Sequence, residues 1–123
     1  MTRVPSSSSG LTQALRGREE ILITATRRKD RRPITHPVWF VPERRTLWLL
    51  PVRGSRTRWL RHLRADPTIA VRAGRRRLTT TAEPVTDRAT VRAVVAKFQR
   101  KYTRQEIERC YTTLDAAVRV PLP

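Results

Sequence analysis

The sequence contains few of the residues from which disulfides and metal sites are built. One residue of 123 is cysteine, Cys110, and two are histidine, His36 and His62. A single thiol excludes an internal disulfide and a zinc site made of several thiolates, so the reducing cytoplasm is the expected compartment. The two histidines lie too far apart to show a metal-ligand spacing, and we expect no metal site. We interpret Cys110 as a small core residue on a helix rather than a reactive thiol.

The sequence also has no long apolar run and few acidic residues. No segment approaches the roughly 18 apolar residues of a transmembrane helix, and the N-terminus lacks the apolar block of a secretory signal. Only 10 residues are Asp or Glu against 27 Lys or Arg, which gives a net charge of +17. This excess indicates a polyanionic partner or an anionic ligand, or reflects a bias toward arginine codons.

The length of the chain favours a single domain. We expect residues 1–18 to form a flexible tail, which contains the serine run 6–10, and a short helix, and residues 19–123 to form the domain. Periodic apolar spacing and capping residues predict three later helices, at 55–64, after Asp87 and after Thr103. Branched and aromatic runs predict six strands, at 21–26, 33–41, 46–52, 68–72, 78–85 and 117–122. Their short links favour an α+β fold that is mainly β, a small six-stranded antiparallel barrel with peripheral helices.

The end of the third predicted strand is the best candidate for a binding site. Gly54 forms a turn there, and Ser55 is predicted to cap the following amphipathic helix. The first N–H groups of a helix have no intrahelical partner, and the helix dipole adds partial positive charge. Because Arg53, Arg56 and Arg58 surround this joint, we predict a phosphate or carboxylate site. The alternative is that Ser55 only caps the helix and that the arginines form a solvated face.

Several segments occur in a distinctive order. They are 23–26, a basic hairpin that ends at 33, 36–41, 47–55, 59–63 and 65–67. Their order and spacing resemble the split-barrel flavin and deazaflavin oxidoreductases, the superfamily of pyridoxamine phosphate oxidase, over roughly 19–122. The closer resemblance is to the branch named for deazaflavin-dependent nitroreductases and quinone reductases. Arg27 and Arg31 stand where that hairpin usually has glycine, and His62 stands where the helix usually has asparagine.

The resemblance implies a split β-barrel, and a homodimer with the flavin site at or near its interface. It places the cofactor phosphate at the Arg53–Arg58 joint and the ring against the strand at 37–41. The cofactor-binding residues that it implies are Arg53, Gly54, Ser55, Arg56, Thr57, Arg58, Pro37, Val38, Trp39, Arg28, Lys29 and Arg32.

The implied function is that of an oxidoreductase. It would transfer a hydride between a reduced deazaflavin of the F-420 type and an activated alkene, a quinone or a nitro compound, with FMN as the alternative cofactor. The arginine excess favours the deazaflavin, because that coenzyme carries a phosphodiester and a poly-glutamate tail. Since such cofactors bring their own hydride chemistry, no catalytic base is required of the sequence. Tyr102 as a proton donor and His36 as a substrate contact are the catalytic candidates, with core packing and a rim position as their alternatives.

Two further functions stay open at the level of sequence. A basic barrel with exposed aromatics could bind single-stranded nucleic acid, but the aromatic residues fall in apolar positions rather than between basic residues on one face, which disfavours this function. A carrier that holds a flavin or a haem without turnover is also compatible, because a fold does not fix a function.

Overall fold

The computed structural model describes residues 6–123, and the first part of the predicted tail, 1–5, lies outside them. The chain forms a mixed α+β fold in which a curled antiparallel sheet makes a half-barrel, with helices packed around it. The helices are α1 (Ser6–Leu15), α2 (Arg58–Ala65), α3 (Arg88–Tyr102) and α4 (Arg104–Cys110). The strands are β1 (Glu20–Thr26), β2 (Pro33–Glu43), β3 (Thr46–Leu49), β4 (Thr68–Ala73), β5 (Arg76–Thr81), β6 (Glu83–Val85) and β7 (Ala117–Pro121).

The sheet has seven strands rather than the six that the sequence predicts. The segment predicted as one strand at 78–85 divides at Ala82, because β5 pairs with β4 whereas β6 pairs with β7. Ala82 is buried, and its backbone N–H donates to the Pro67 carbonyl oxygen at 2.8 Å. The strand order is β5-β4-β1-β2-β3-β7-β6, so this single residue links the two edge strands. The edges of the sheet must therefore approach each other, which curls the sheet.

The core lies inside this curl and continues under α3 and α4. Along β1, Ile21, Ile23 and Ala25 face inward, whereas Leu22 is 38% exposed. Only one face of β1 is therefore covered, although its run of apolar residues 21–23 would also suit a strand buried on both sides. A second apolar cluster packs between the outer face of the sheet and the two last helices; it comprises Trp48, Leu50, Val91, Val94, Phe98, Tyr102, Ile107, Tyr111 and Ala117.

The helix signals of the sequence are confirmed at the third and fourth helices. The Asp87 carboxylate accepts the Thr90 N–H at 2.9 Å, and the Thr103 hydroxyl accepts the Glu106 N–H at 3.2 Å. The first helix begins at Ser6 and includes the serine run, which the sequence places in the predicted flexible tail. Its Leu11 side chain is buried in the barrel core, so tertiary packing outweighs the low helix propensity of serine.

Thr103 adopts a backbone conformation that β-branched residues rarely take, with φ 80° and ψ 150°. Glycine adopts it freely and replaces threonine at an N-cap with a loss of only a few tenths of a kcal/mol. We therefore expect Thr103→Gly to raise the free energy of unfolding by about 1 kcal/mol, measured by urea denaturation. Thr103→Ala keeps the strain and loses the cap, so it should lower that free energy by about 1 kcal/mol. A loss of stability in both variants would contradict the assignment of strain.

Candidate functional site

The turn after β3 is built differently from the sequence prediction. A short 3-10 turn spans Gly54–Arg56, and α2 begins only at Arg58 with Thr57 as its N-cap. The prediction that Ser55 caps the helix is therefore wrong. Thr57 does not cap it through its side chain either, because its hydroxyl accepts the Arg53 N–H at 2.8 Å and thereby closes the turn.

The hydrogen-bond donors of Ser55 are bound by a carboxylate of the chain itself. The backbone N–H and the hydroxyl of Ser55 both donate to the Asp115 carboxylate at 2.8 Å. These two hydrogen bonds hold the pKa of Asp115 below its usual value. At the predicted phosphate or carboxylate site, the Ser55 donors are therefore occupied by a carboxylate of the chain itself. The neighbouring arginine side chains are the groups that remain available to a ligand.

Those side chains line an open cleft of about 580 Å³, which we call the arginine cleft. Arg53, Arg56, Arg58 and Arg61 form no ion pair within residues 6–123, although each carries a full positive charge. A planar guanidinium matches the oxygens of a phosphate or carboxylate with paired hydrogen bonds. The wall of the cleft is made by His36, Pro37, Val52, Arg53, Arg56, Thr57, Arg58, Trp59 and Arg61.

An apolar groove of about 280 Å³, which we call the aromatic groove, adjoins the arginine cleft. Trp39 in its wall stacks on Tyr102 with ring centroids 4.3 Å apart and an interplanar angle of 5°, so its ring is held in one orientation. The wall comprises Glu20, Pro37, Val38, Trp39, Leu50, Val52, Trp59, Cys110 and Tyr111. Three of these residues, Pro37, Val52 and Trp59, also line the arginine cleft, so the two spaces are direct neighbours.

The two tyrosines near the groove have different surroundings. The Tyr102 hydroxyl accepts the Phe40 N–H at 3.0 Å and lies 2.7 Å from the Glu19 carbonyl oxygen and 2.9 Å from that of Phe40, one of which accepts its proton. Burial raises the pKa of Tyr102 to about 12. Tyr111 lines the groove and is 7% exposed, and its hydroxyl has no hydrogen-bond partner in the part of the chain that the structure describes. Tyr111 is thus the tyrosine that a ligand in the groove would meet.

Two other predicted residues lie at the rim of these spaces. Cys110 is exposed and lines the aromatic groove, so its interpretation as core filler is wrong. It is the last residue of α4, in which Ile107 is the buried residue, and it lies on the exposed face of that helix. His36 is half-buried in the arginine cleft, where burial and the nearby Arg58 lower its pKa. His36 is therefore a neutral group in the wall of the cleft at neutral pH.

The loop between β1 and β2 forms a third space of about 570 Å³, which we call the hairpin cavity. It shares Arg58 and Arg61 with the arginine cleft. Its wall comprises Arg27, Arg28, Lys29, Ile34, Arg58, Arg61 and His62. Of the predicted hairpin residues, Arg28 and Lys29 lie in this wall. Arg32 does not, since its backbone N–H donates to the Asp30 carboxylate and its side chain is exposed.

A family model described as "Uncharacterized protein conserved in bacteria (DUF2255)" matches residues 12–120. The chain belongs to this family. It has no significant match among curated proteins. Within the described residues, no DUF2255 helix is both long and apolar enough to pass through a lipid bilayer.

Solved structures with the split-barrel fold of pyridoxamine phosphate oxidase-like proteins resemble this DUF2255 chain over most of its length. An F420-H2 dependent reductase (FDR-A) is 20% identical, with a TM-score of 0.65 over 84% of this chain and 94% of the reductase. HutZ, the heme storage protein of Vibrio cholerae, is 17% identical, with a TM-score of 0.68 over 94% of this chain and 89% of HutZ. A putative pyridoxamine 5'-phosphate oxidase from Listeria innocua is 12% identical, with a TM-score of 0.68 over 94% and 92% of the two chains. At these identities the likeness establishes the fold.

Sequence reasoning missed several residues of the DUF2255 site. Asp115 bonds to a serine 60 positions earlier, and no local pattern marks such a pair. Tyr111 follows the last residue of α4; it packs in the second apolar cluster and also lines the groove, which its helical spacing does not show. Arg61 and His62 lie on the amphipathic helix that the sequence does predict. Only the position of the hairpin beside that helix turns them into a cavity wall.

A separate cavity of about 510 Å³ lies beside α3, lined by Thr86, Arg88, Val91, Arg92, Val95, Leu114 and Asp115. It has no aromatic wall against which a planar ring could stack. Its carboxylate, Asp115, is already bonded to Ser55. The aromatic groove and the arginine cleft therefore form the better candidate site.

Proposed function

We propose that this DUF2255 chain is an oxidoreductase that binds a reduced deazaflavin of the F-420 type. The ring would lie in the aromatic groove and the phosphate in the arginine cleft. The hydride acceptor would be a small activated alkene, quinone or nitro compound. One observation carries the proposal: an apolar, aromatic groove shares three wall residues with a cleft whose arginines have no ion-pair partner among the described residues.

The aromatic groove suits a planar, largely apolar ring. The ring centroids of Trp39 and Tyr111 lie 6.1 Å apart in its wall, and Trp59 lines both the groove and the arginine cleft. The stack of Trp39 on Tyr102 fixes this wall before any ligand arrives, so little conformational freedom is lost on binding. Ligand pockets of this kind are mainly apolar, with a few polar groups that set the orientation.

The arginine cleft suits the anionic part of such a cofactor. The turn that carries Arg53 and Arg56 is held by the bonds of Ser55 to Asp115 and of Arg53 to Thr57. A phosphate bound between the arginines would receive charge-assisted hydrogen bonds, which are about twice as strong as neutral ones. Arg28 and Lys29 in the adjoining hairpin cavity would meet a further anionic extension, and we retain them as candidates together with Arg32. FMN is the alternative cofactor, because its phosphate would satisfy the same arginines.

The residues of the chain bind and orient, while the cofactor supplies the hydride chemistry when bound. The apolar wall of the groove would shield the ring from water on the side that it contacts. Burial raises the pKa of Tyr111, so its hydroxyl keeps its proton at neutral pH and would donate a hydrogen bond to a polar atom of the ligand or the substrate. Because the Tyr102 hydroxyl is occupied by backbone groups, we favour Tyr111 over Tyr102 for this role.

We further propose a cytoplasmic homodimer in which the partner subunit covers the open side of the site. Val52, which lines both the groove and the cleft, is 44% exposed. A dimer would remove this side chain from water, and one similar solved structure is described as a domain-swapped dimer, which supports the proposal. Analytical ultracentrifugation of the purified chain would decide between a dimer and a monomer.

The test is an optical and fluorescence titration with oxidised deazaflavin coenzyme and, in parallel, with FMN, each at low and raised salt. We expect saturable, stoichiometric binding of the deazaflavin. Arg53→Ala should weaken its affinity about tenfold, because a charge-assisted hydrogen bond is lost. Arg28→Gln with Lys29→Gln should weaken it to a similar degree.

The matched control is Arg75→Ala, which removes the same charge from the turn between β4 and β5, outside the aromatic groove, the arginine cleft and the hairpin cavity. It should leave the affinity unchanged at fixed ionic strength. Unchanged affinity in both the Arg53 and the hairpin variants would refute the placement of the cofactor. Failure to bind either cofactor, together with salt-sensitive binding of any polyanion offered, would favour nucleic-acid binding instead.

A further inference from the structure

The hairpin cavity contains more positive charge than the chain neutralises. Arg27 is paired with the Asp30 carboxylate at 2.7 Å. Arg28, Lys29, Arg58 and Arg61 have no ion-pair partner within the described range, and all four line the cavity. Four like charges around a concave surface repel one another unless an anion lies between them. An anion bound in this cavity would reduce that repulsion.

His62 in the same wall is a polar group without a full set of partners. Its side chain is 5% exposed, and its Nδ1 atom accepts the Arg28 N–H at 3.3 Å. A nitrogen that accepts a hydrogen bond carries no proton, so the proton of the neutral ring lies on Nε2. This Nε2 is buried and has no hydrogen-bond partner among the described residues. Native structures rarely leave such a buried donor unpaired, and a bound anion in the cavity would accept its proton.

We propose that the hairpin cavity is a second anion subsite, for a phosphate or carboxylate group, in which the Nε2–H of His62 donates the recognising hydrogen bond. The cavity shares Arg58 and Arg61 with the arginine cleft, so one extended ligand can place an anionic group in each space. In this respect the inference deepens the proposed function and rests on it for the identity of the natural ligand. The anion subsite itself requires only the cavity and His62.

The surroundings of His62 keep this donor neutral. Arg27 and Arg28 face it from the hairpin, Arg58 from its own helix, and His36 from β2. Burial, followed by these positive neighbours, lowers the pKa of His62. Protonation would also place a second proton on Nδ1, where the Arg28 N–H already points. Since the donor is the neutral ring, anion affinity should not fall as the pH rises through the usual histidine range of about 6 to 7.

Arg58 and Arg61 are exposed, and their side chains form no hydrogen bond with other described residues. They can therefore turn toward an incoming anion without breaking an existing contact. The residue type at position 62 also matters, because an arginine or lysine there would add a charge, whereas a neutral histidine adds a directional donor. Asparagine, which also has an N–H donor, is the conservative replacement.

The experiment is an NMR titration of the purified chain with sulfate and, separately, with a tri-glutamate peptide, at an ionic strength kept constant with sodium chloride. The chain contains two histidines, so the ¹⁵N signals of His62 and His36 can be assigned by substitution. We expect the signals of the free protein to show a His62 with its proton on Nε2. Saturating sulfate or tri-glutamate should then shift the Nε2 signal. Binding of sulfate alone would identify a phosphate-type group, and binding of the peptide alone a carboxylate.

Variants separate recognition from simple charge attraction. His62→Phe should weaken anion binding about tenfold, because a hydrogen bond to a charged group is lost, and His62→Asn should recover most of this loss. Thermal unfolding shows whether each variant is folded. Unchanged affinity in a folded His62→Phe, a proton on Nδ1, or no response to either anion would overturn the proposal. Neither titration contains a flavin, so failure here is distinguishable from failure to bind the cofactor.

Discussion

Replacing Gly54 with alanine is expected to destabilise the chain by about 2–4 kcal/mol, the largest effect that we anticipate for a single methyl group. Gly54 has φ 57°, in the left-handed region that favours glycine. A Cβ atom at this position would overlap the Asp115 carboxylate, which would have to leave Ser55. The substitution therefore adds backbone strain and also breaks the contact that holds the turn. Chemical denaturation measures the loss.

Gly17 provides the matched control. It has φ 73°, but nothing lies within 4 Å of the position that a Cβ atom would occupy. Gly17→Ala should therefore show the cost of backbone strain alone, about 1 kcal/mol. Equal losses in the two variants would mean that the Asp115 contact contributes nothing. Gly54→Ala should also reduce binding of the deazaflavin, because Arg53 and Arg56 flank the displaced turn.

Tyr102→Phe is expected to lower the free energy of unfolding by about 1–3 kcal/mol. The Tyr102 side chain is 3% exposed, and its hydroxyl joins the start of β1 to β2 through Glu19 and Phe40. Without that oxygen, the Phe40 N–H loses its acceptor in a region that water does not reach. The ring itself, and its stack on Trp39, would remain. Urea denaturation of the two proteins gives the difference.

Tyr111→Phe removes a hydroxyl of the same chemistry from the aromatic groove. That hydroxyl has no partner among residues 6–123, so the free energy of unfolding should change by less than about 0.5 kcal/mol. Substrate reduction should slow in this variant if Tyr111 donates a proton or a hydrogen bond in the proposed reaction. A stability loss as large as that of Tyr102→Phe would show that the Tyr111 hydroxyl makes a stabilising hydrogen bond and would contradict its availability to a ligand.

The sequence predicts much of this fold because its signals are local. Asp87 and Thr103 cap their helices with bonds to residues three positions ahead, and the stripe ending at Tyr102 follows from helical spacing. The candidate cofactor residues Pro37, Val38 and Trp39 come from the resemblance, and the structure places them in one wall with Trp59. Their role in binding stays a prediction.

The wrong predictions concern contacts between distant segments. Ser55 has the residue type and position of an N-cap, but its hydroxyl bonds to Asp115 instead. The segment 78–85 alternates as one strand, yet Ala82 changes its partner from β4 to β7. Cysteine is a residue type that is usually buried, but Cys110 is exposed because of its position at the end of α4. The pattern of residues along the chain gives the periodicity of a helix or strand, but it does not show which distant residue that element contacts.

By itself the sequence determined the element types, most of the helix caps, the surplus of 17 positive charges and the absence of a disulfide. These depend on short-range hydrogen bonds, side-chain periodicity and composition. The tertiary structure alone decided that the two sheet edges meet at Ala82 and that Asp115 fills the Ser55 turn. It also decided which arginines face a cleft and that His62 has an unpaired buried nitrogen within the described residues. Charge and hydrogen-bonding capacity belong to residues, whereas the lack of a partner is a property of their arrangement in space.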